Sequence, residues 1–142
     1  DVIDPVPQPL LRPTTTLREA SAAFIEHNNE FFYVSPDGET LAGIVTITDL
    51  IRARASGSTG ETPATDFMTR NPIVLTADDD CAVVSSAMRE YRLKNLPVVE
   101  SKENRRLIGC VRARRLMAFI SKEMARQNHE TNPVHETNLV QR

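Results

Sequence analysis

Gly43-Ile44-Val45-Thr46-Ile47-Thr48-Asp49-Leu50 reads as a short apolar strand running straight into a helix start, and the pattern occurs twice. At an offset of 66 stands Gly109-Cys110-Val111-Arg112-Ala113-Arg114-Arg115-Leu116, with the same leading glycine and the same closing leucine. Upstream of each copy the offset becomes 64: Leu11 matches Leu75, Ser21 matches Ser85, Ala23 matches Ala87, Glu26 matches Glu90, and Val34 matches Val98. The change requires a two-residue insertion between Ser35 to Thr40 and the longer stretch from Val99 to Arg106. Both stretches are turn-rich or charged, which is where a hairpin loop tolerates extra length. A repeat of this length sets the architecture before any single element is assigned.

Each half carries the same order of signals. A short apolar strand (Pro9-Leu10-Leu11; Ile73-Val74-Leu75) precedes a helix start. Thr16-Leu17-Arg18-Glu19 fits a capping box, and Asp78, Asp79 and Asp80 put negative charge at the positive end of the second half's helix dipole. Leu17, Ala20, Phe24 and Ile25, then Val84, Ala87, Met88 and Tyr91, recur at one-face helical spacing. Two strands follow around a hairpin, Phe31 to Val34 with Leu41 to Thr46 and Leu96 to Val99 with Leu107 to Val111. A second helix begins near Asp49 and near Arg115. The fold class is α+β, β-α-β-β-α twice, in units 1–56 and 66–124. Between them, 57–65 has the composition of a flexible linker, and 125–142 reads as a polar, poorly ordered tail. Neither half has core enough alone, so the two are expected to pack about a pseudo-two-fold axis.

Composition narrows the function classes. The 142 residues carry 17 Lys+Arg against 19 Asp+Glu, a formal charge of −2, so no global field points to nucleic acid or an anionic membrane. No apolar run approaches the roughly 20 residues of a bilayer span, and no signal peptide opens the chain. Cys81 and Cys110 fit no metal spacing and are expected to act as small core hydrophobes. The pair His129 and His135 has no third ligand nearby. A start at Asp1 without Met reads as a segment of a longer or processed polypeptide. The expectation is a cytoplasmic module, the cytoplasmic part of a membrane protein included.

The Gly-x-x-Thr-x-x-Asp segment at Gly43 to Asp49 with its counterpart at Gly109, Asn95-Leu96-Pro97-Val98-Val99, and Asp66-Phe67-Met68-Thr69-Arg70-Asn71-Pro72 opening the second unit together resemble the CBS domain pair, or Bateman module. The resemblance covers roughly Asp1 to Met124. It implies a regulatory module that senses an adenosyl ligand (AMP, ADP, ATP or S-adenosylmethionine) for an attached host domain, forms homodimers, and needs no cofactor.

Thr46 and Asp49 fit that chemistry. Three residues apart at a helix start, they lie beside backbone N–H groups with no intrahelical partner, which attract phosphate. A carboxylate only accepts hydrogen bonds, so Asp49 suits a ribose diol. Ile44 and Ile47 are expected to help form apolar walls. The same residues also make an ordinary helix cap. The resemblance further implies that the other unit completes the cleft, with Ile73 and Val74 beside the base, and Leu93, Lys94 and Asn95 at the edge. The second unit departs from the pattern, because Arg112 and Arg115 replace Thr46 and Asp49. An arginine offers no acceptor to a diol, so one site per chain is expected. Arg112 or Arg115 is expected either to reach first-cleft phosphates or to pair with Glu30 and close the second cleft.

Catalysis has little support. His27 is the only histidine outside the tail and reads as a capping or surface residue. Phe31, Phe32 and Tyr33 read as core or contact aromatics, serving a dimer interface if Phe31 or Tyr33 faces outward. Two other readings stand beside the sensor. One is a structural dimerisation module without ligand. The other is a nucleic-acid contact through Arg105, Arg106, Arg112, Arg114 and Arg115, which lacks interleaved aromatics.

Overall fold

The computed structural model describes residues 2–131. The chain runs α1 (Leu17–His27), β1 (Phe31–Val34), β2 (Gly43–Thr46), α2 (Ile47–Ala55), α3 (Ala64–Phe67), β3 (Thr69–Arg70), α4 (Cys81–Glu90), β4 (Asn95–Val99), β5 (Leu107–Arg112) and α5 (Ala113–Thr131).

The repeat read from sequence is the repeat of the fold. In the first hairpin Phe31 pairs with Thr46 and Val34 with Gly43. In the second, Asn95 pairs with Arg112 and Val98 with Gly109, so the offsets of 64 and 66 hold strand by strand. A register shift between Val98 and Val99 falls on the loop side, where the extra residues enter. The expected first strands shrink to single parallel bridges, Leu11 on Val34 and Leu75 on Val98. Their hydrogen bonds also repeat: Leu11 N–H donates to the Tyr33 carbonyl (2.9 Å) and Leu75 N–H to that of Pro97 (2.9 Å).

Each unit lends a strand to the other. β3, at the head of the second unit, pairs antiparallel with β2 of the first, Thr69 opposite Ile44 and Arg70 opposite Gly43. In return Asp4 and Cys110 exchange both backbone hydrogen bonds, at 2.8 and 2.9 Å. The two motif glycines allow these approaches. A Cβ at Gly43 would lie 2.8 Å from the Thr69 carbonyl oxygen, and one at Gly109 only 2.5 Å from that of Asp4. The hairpin tips also meet, with Leu41 N–H donating to Arg105 O (2.9 Å) and Leu107 N–H to Glu39 O (2.8 Å).

Three apolar clusters follow. One belongs to the first unit and includes Leu17, Phe24, Phe32 and Val45, together with Phe67 from the second. One belongs to the second unit, around Val84, Met88, Leu96 and Leu116. The third lies between the sheets and joins Phe31, Tyr33 and Leu41 to Val99 and Cys110. Phe31, Phe32 and Tyr33 are therefore all core, and none faces outward to serve a dimer interface.

Several expectations change. The segment 57–65 is not a loose linker. The Thr62 and Gly60 carbonyls accept from Leu17 and Arg18 N–H at 2.8 and 3.0 Å, filling positions that a helix start leaves without partners. α3 and β3 were not anticipated, because four- and two-residue elements carry no periodic signal. Both second helices start two residues early, at Ile47 and Ala113. Ile25 is 84% exposed, off the face set by Leu17, Ala20 and Phe24, and Tyr91, also exposed, follows α4 as its C-cap. α5 extends to Thr131, beyond the expected boundary at 124. Residues 132–142, with His135, lie outside the described residues, as do the side chains of Cys81 and His129.

Candidate functional site

Thr46 is the N-cap of α2, with extended backbone (φ −114°, ψ 168°), and it forms a reciprocal capping box with Asp49. The Asp49 N–H donates to Thr46 Oγ1 (3.3 Å), while Thr46 N–H (2.8 Å) and Oγ1–H (3.1 Å) donate to Asp49 Oδ2. The other carboxylate oxygen, Oδ1, accepts from Arg52 Nη1 (2.9 Å) and from the Thr69 hydroxyl (3.3 Å) on the borrowed strand. A carboxylate offers about four acceptor positions, and here the chain itself fills them. Asp49 is accordingly 3% exposed.

Residues directly opposite in an antiparallel pair share a face. Thr46 lies opposite Phe31 and Ile44 opposite Tyr33, so this cap opens onto the seam between the units. Ile44 and Val74 both pack against the shared cluster there. Asn95 reaches it from the second unit, its Oδ1 accepting from the Tyr33 hydroxyl (3.1 Å). The structure thus brings Ile44 and Asn95 beside Tyr33, Val74 against the same cluster, and Thr46 with Asp49 on the same strand-to-helix junction. Ile73 and Lys94 are exposed, and the Lys94 carbonyl accepts from Ala113 N–H at the start of α5 (2.9 Å). Leu93 packs against the second unit's core. Burial raises the Tyr33 phenol well above its ordinary range and also raises the Cys110 thiol beside it.

Arg112 does not serve the first cleft in this structure. Its guanidinium lies over the Phe31 ring, 5.2 Å from the centroid, and lines a cleft of about 180 Å³ with Pro7, Asn28, Asn29, Glu30 and Phe31. Nor does Glu30 close that cleft. The carboxylate that meets both arginines is Asp4, its Oδ2 3.7 Å from Arg112 Nε and its Oδ1 3.2 Å from Arg115 Nε. The two junctions are alike in plan and opposite in charge: a segment lent by the other unit touches Asp49 through Thr69 and Arg115 through Asp4. Reading each unit alone missed Thr69, Asp4 and Tyr33, since all three act across the exchange. Arg52 was missed as well, although a basic residue one turn after Asp49 was the signal that could have found it.

A family model for the CBS domain matches residues 1–56 and again 64–122. The chain belongs to the CBS domain family. Its two copies form a CBS pair whose fold matches solved ones. One is CBSX2 of Arabidopsis thaliana in complex with AMP, at TM-score 0.72 and 22% identity, covering 87% of this chain and 96% of that one. Another is the CBS domain pair of protein MJ0100 with 5′-methylthioadenosine and S-adenosyl-L-methionine, at TM-score 0.64 and 24% identity, covering 85% and 98%. Among curated relatives, a homoserine O-acetyltransferase of Methanosphaera stadtmanae is 29% identical over 98 residues, which is 69% of this chain and 19% of that protein. The uncharacterized YlbB of Bacillus subtilis is 37% identical over 79 residues, and the chain spans about half its length. No helix among the described residues is long and apolar enough to cross a membrane.

Proposed function

We propose that this CBS pair is a regulatory module that binds one adenosyl ligand at the Thr46–Asp49 junction and reports it to an attached host domain. The observation that carries the reading is the buried Asp49 carboxylate at a helix start on the seam between the units. Ribose hydroxyls would meet the carboxylate, phosphate the first amides of α2, and the base the apolar side chains of Ile44, Val74 and Ile73, with Lys94 and Asn95 at the rim. Similar pairs crystallised with AMP or with S-adenosyl-L-methionine support the ligand class, and the small share of the acetyltransferase that is matched supports a larger host. Because Thr69 touches Asp49 across the exchange, a ligand that repositions Asp49 shifts one unit against the other. Control of the host then follows from preferring one arrangement. Calorimetry with AMP, ADP, ATP and S-adenosylmethionine tests this. At least one should bind at sub-millimolar concentration, and Asp49→Ala should weaken it about tenfold or more, the worth of one charged hydrogen bond. No binding by any of the four would end the reading.

A second reading, homodimerisation, is favoured by one feature. Ile51 on α2 and Met117 on α5 occupy equivalent positions and are 64% and 58% exposed. Sedimentation of wild type and Ile51→Glu decides it, a monomeric wild type ruling it out. The nucleic-acid reading weakens, since Arg106, Arg112 and Arg115 are already paired with carboxylates.

A further inference from the structure

Resting on the proposed site, we infer that Arg52 is a latch on that site, holding the acceptor that a ribose hydroxyl must take. Asp49 Oδ1 has two partners, and they differ in kind. Thr69 Oγ1, at 3.3 Å, belongs to β3, whose backbone is held by strand pairing. The Arg52 guanidinium, at 2.9 Å, comes from an i, i+3 neighbour on α2 whose side chain is 66% exposed. The opposite oxygen is committed to the helix cap by Thr46. Of the two groups on Oδ1 the guanidinium is the nearer and the charged one, and it can leave without unwinding α2 or detaching β3. The arginine head is two-thirds exposed and can swing into water between rotamers, while the buried carboxylate stays held by Thr46 and Thr69. Ligand entry is therefore a competition. The apparent affinity is the intrinsic one reduced by the fraction of molecules with the latch open.

The latch concerns the hydroxyl and nothing else, which gives it a signature. A 2′,3′-dideoxy ligand has no hydroxyl for Asp49 and gains little from an open latch. Arg52→Ala should therefore tighten AMP about threefold to tenfold, the net worth of one hydrogen bond no longer competed for, and leave 2′,3′-dideoxy-AMP within about twofold. Arg52→Gln, which keeps a neutral donor, should fall between wild type and Arg52→Ala for AMP. It also serves as the test variant should the alanine form fold poorly. The measurement is isothermal titration calorimetry of all three proteins with both nucleotides. AMP binding by the variants and not by wild type supports a latch that is fully closed. Wild type binding AMP as tightly as both variants, or both nucleotides gaining equally, overturns the latch and leaves the site standing. No binding of AMP, ADP, ATP or S-adenosylmethionine by any of the three proteins overturns the site and the latch with it.

Discussion

Replacing Gly43 with alanine tests the strand exchange on which the site depends. The added Cβ would sit 2.7 Å from Met68 Sδ and 2.8 Å from the Thr69 carbonyl oxygen. The methionine can swing aside, but the carbonyl belongs to β3 and must retreat by more than half an ångström to reach ordinary contact. That movement strains the pairings of Gly43 with Arg70 and Ile44 with Thr69, and pulls the Thr69 hydroxyl from Asp49. Overpacking of this kind costs about 1–3 kcal/mol. The alanine returns roughly 0.4–1 kcal/mol by restricting the unfolded chain. The net loss is about 1–2 kcal/mol, or a fall of roughly 3–7 °C in Tm for a chain of this size. Gly60→Ala is the control. Its Cβ would meet only the end of the Arg18 side chain, with Nη2 at 2.6 Å, which can move away, so stability should stay within about 0.5 kcal/mol. Thermal and urea unfolding of the three proteins read the difference. A Gly43→Ala protein as stable as wild type would refute the claim that this glycine exists to admit β3.

Thr46→Ala removes the α2 cap and should cost about 1 kcal/mol in urea unfolding. Asp37 accepts from the N–H groups of Thr40 and Glu39 and from the Thr40 and Ser35 hydroxyls, led by Thr40 N–H, and its pKa is held below the usual carboxylate range. That contribution is present above about pH 4 and drains away as pH falls further. In a stability profile across pH 2–6, Asp37→Asn should flatten the acid limb; an unchanged limb would count against the turn. Burial raises the Tyr33 phenol, so its contribution is complete below about pH 10 and declines above it as the unfolded chain ionises first. Tyr33→Phe should cost about 1 kcal/mol at pH 7 through Asn95, yet lose less stability than wild type between pH 9 and 11.

The repeat, both hairpins and the α1 cap were legible because each rests on local chemistry. Thr16 and Glu19 satisfy one another within a single turn, as the sequence pattern requires. The Thr46–Asp49 junction was legible for the same reason. Contacts between the units were not. Nothing local to Asp4 indicates that it will meet Arg112 and Arg115 more than 100 residues away, so Glu30, the positional counterpart of Lys94, looked the better partner. The linker misled in a related way. Its Ser, Thr and Gly composition describes a chain free to move, whereas its carbonyls are what the first amides of α1 require.

The lending of strands bears on what half of this protein would be. A chain ending near Ser56 would keep β1 and β2 but lose β3, leaving the Gly43–Ile44 edge with unmet N–H and C=O groups beside a glycine shaped to accept another backbone. Such an edge recruits any extended segment it meets, another copy included. The reciprocal exchange therefore covers the glycine-bearing edge of each hairpin, and it makes the single unit the hazardous fragment and the pair the safer one.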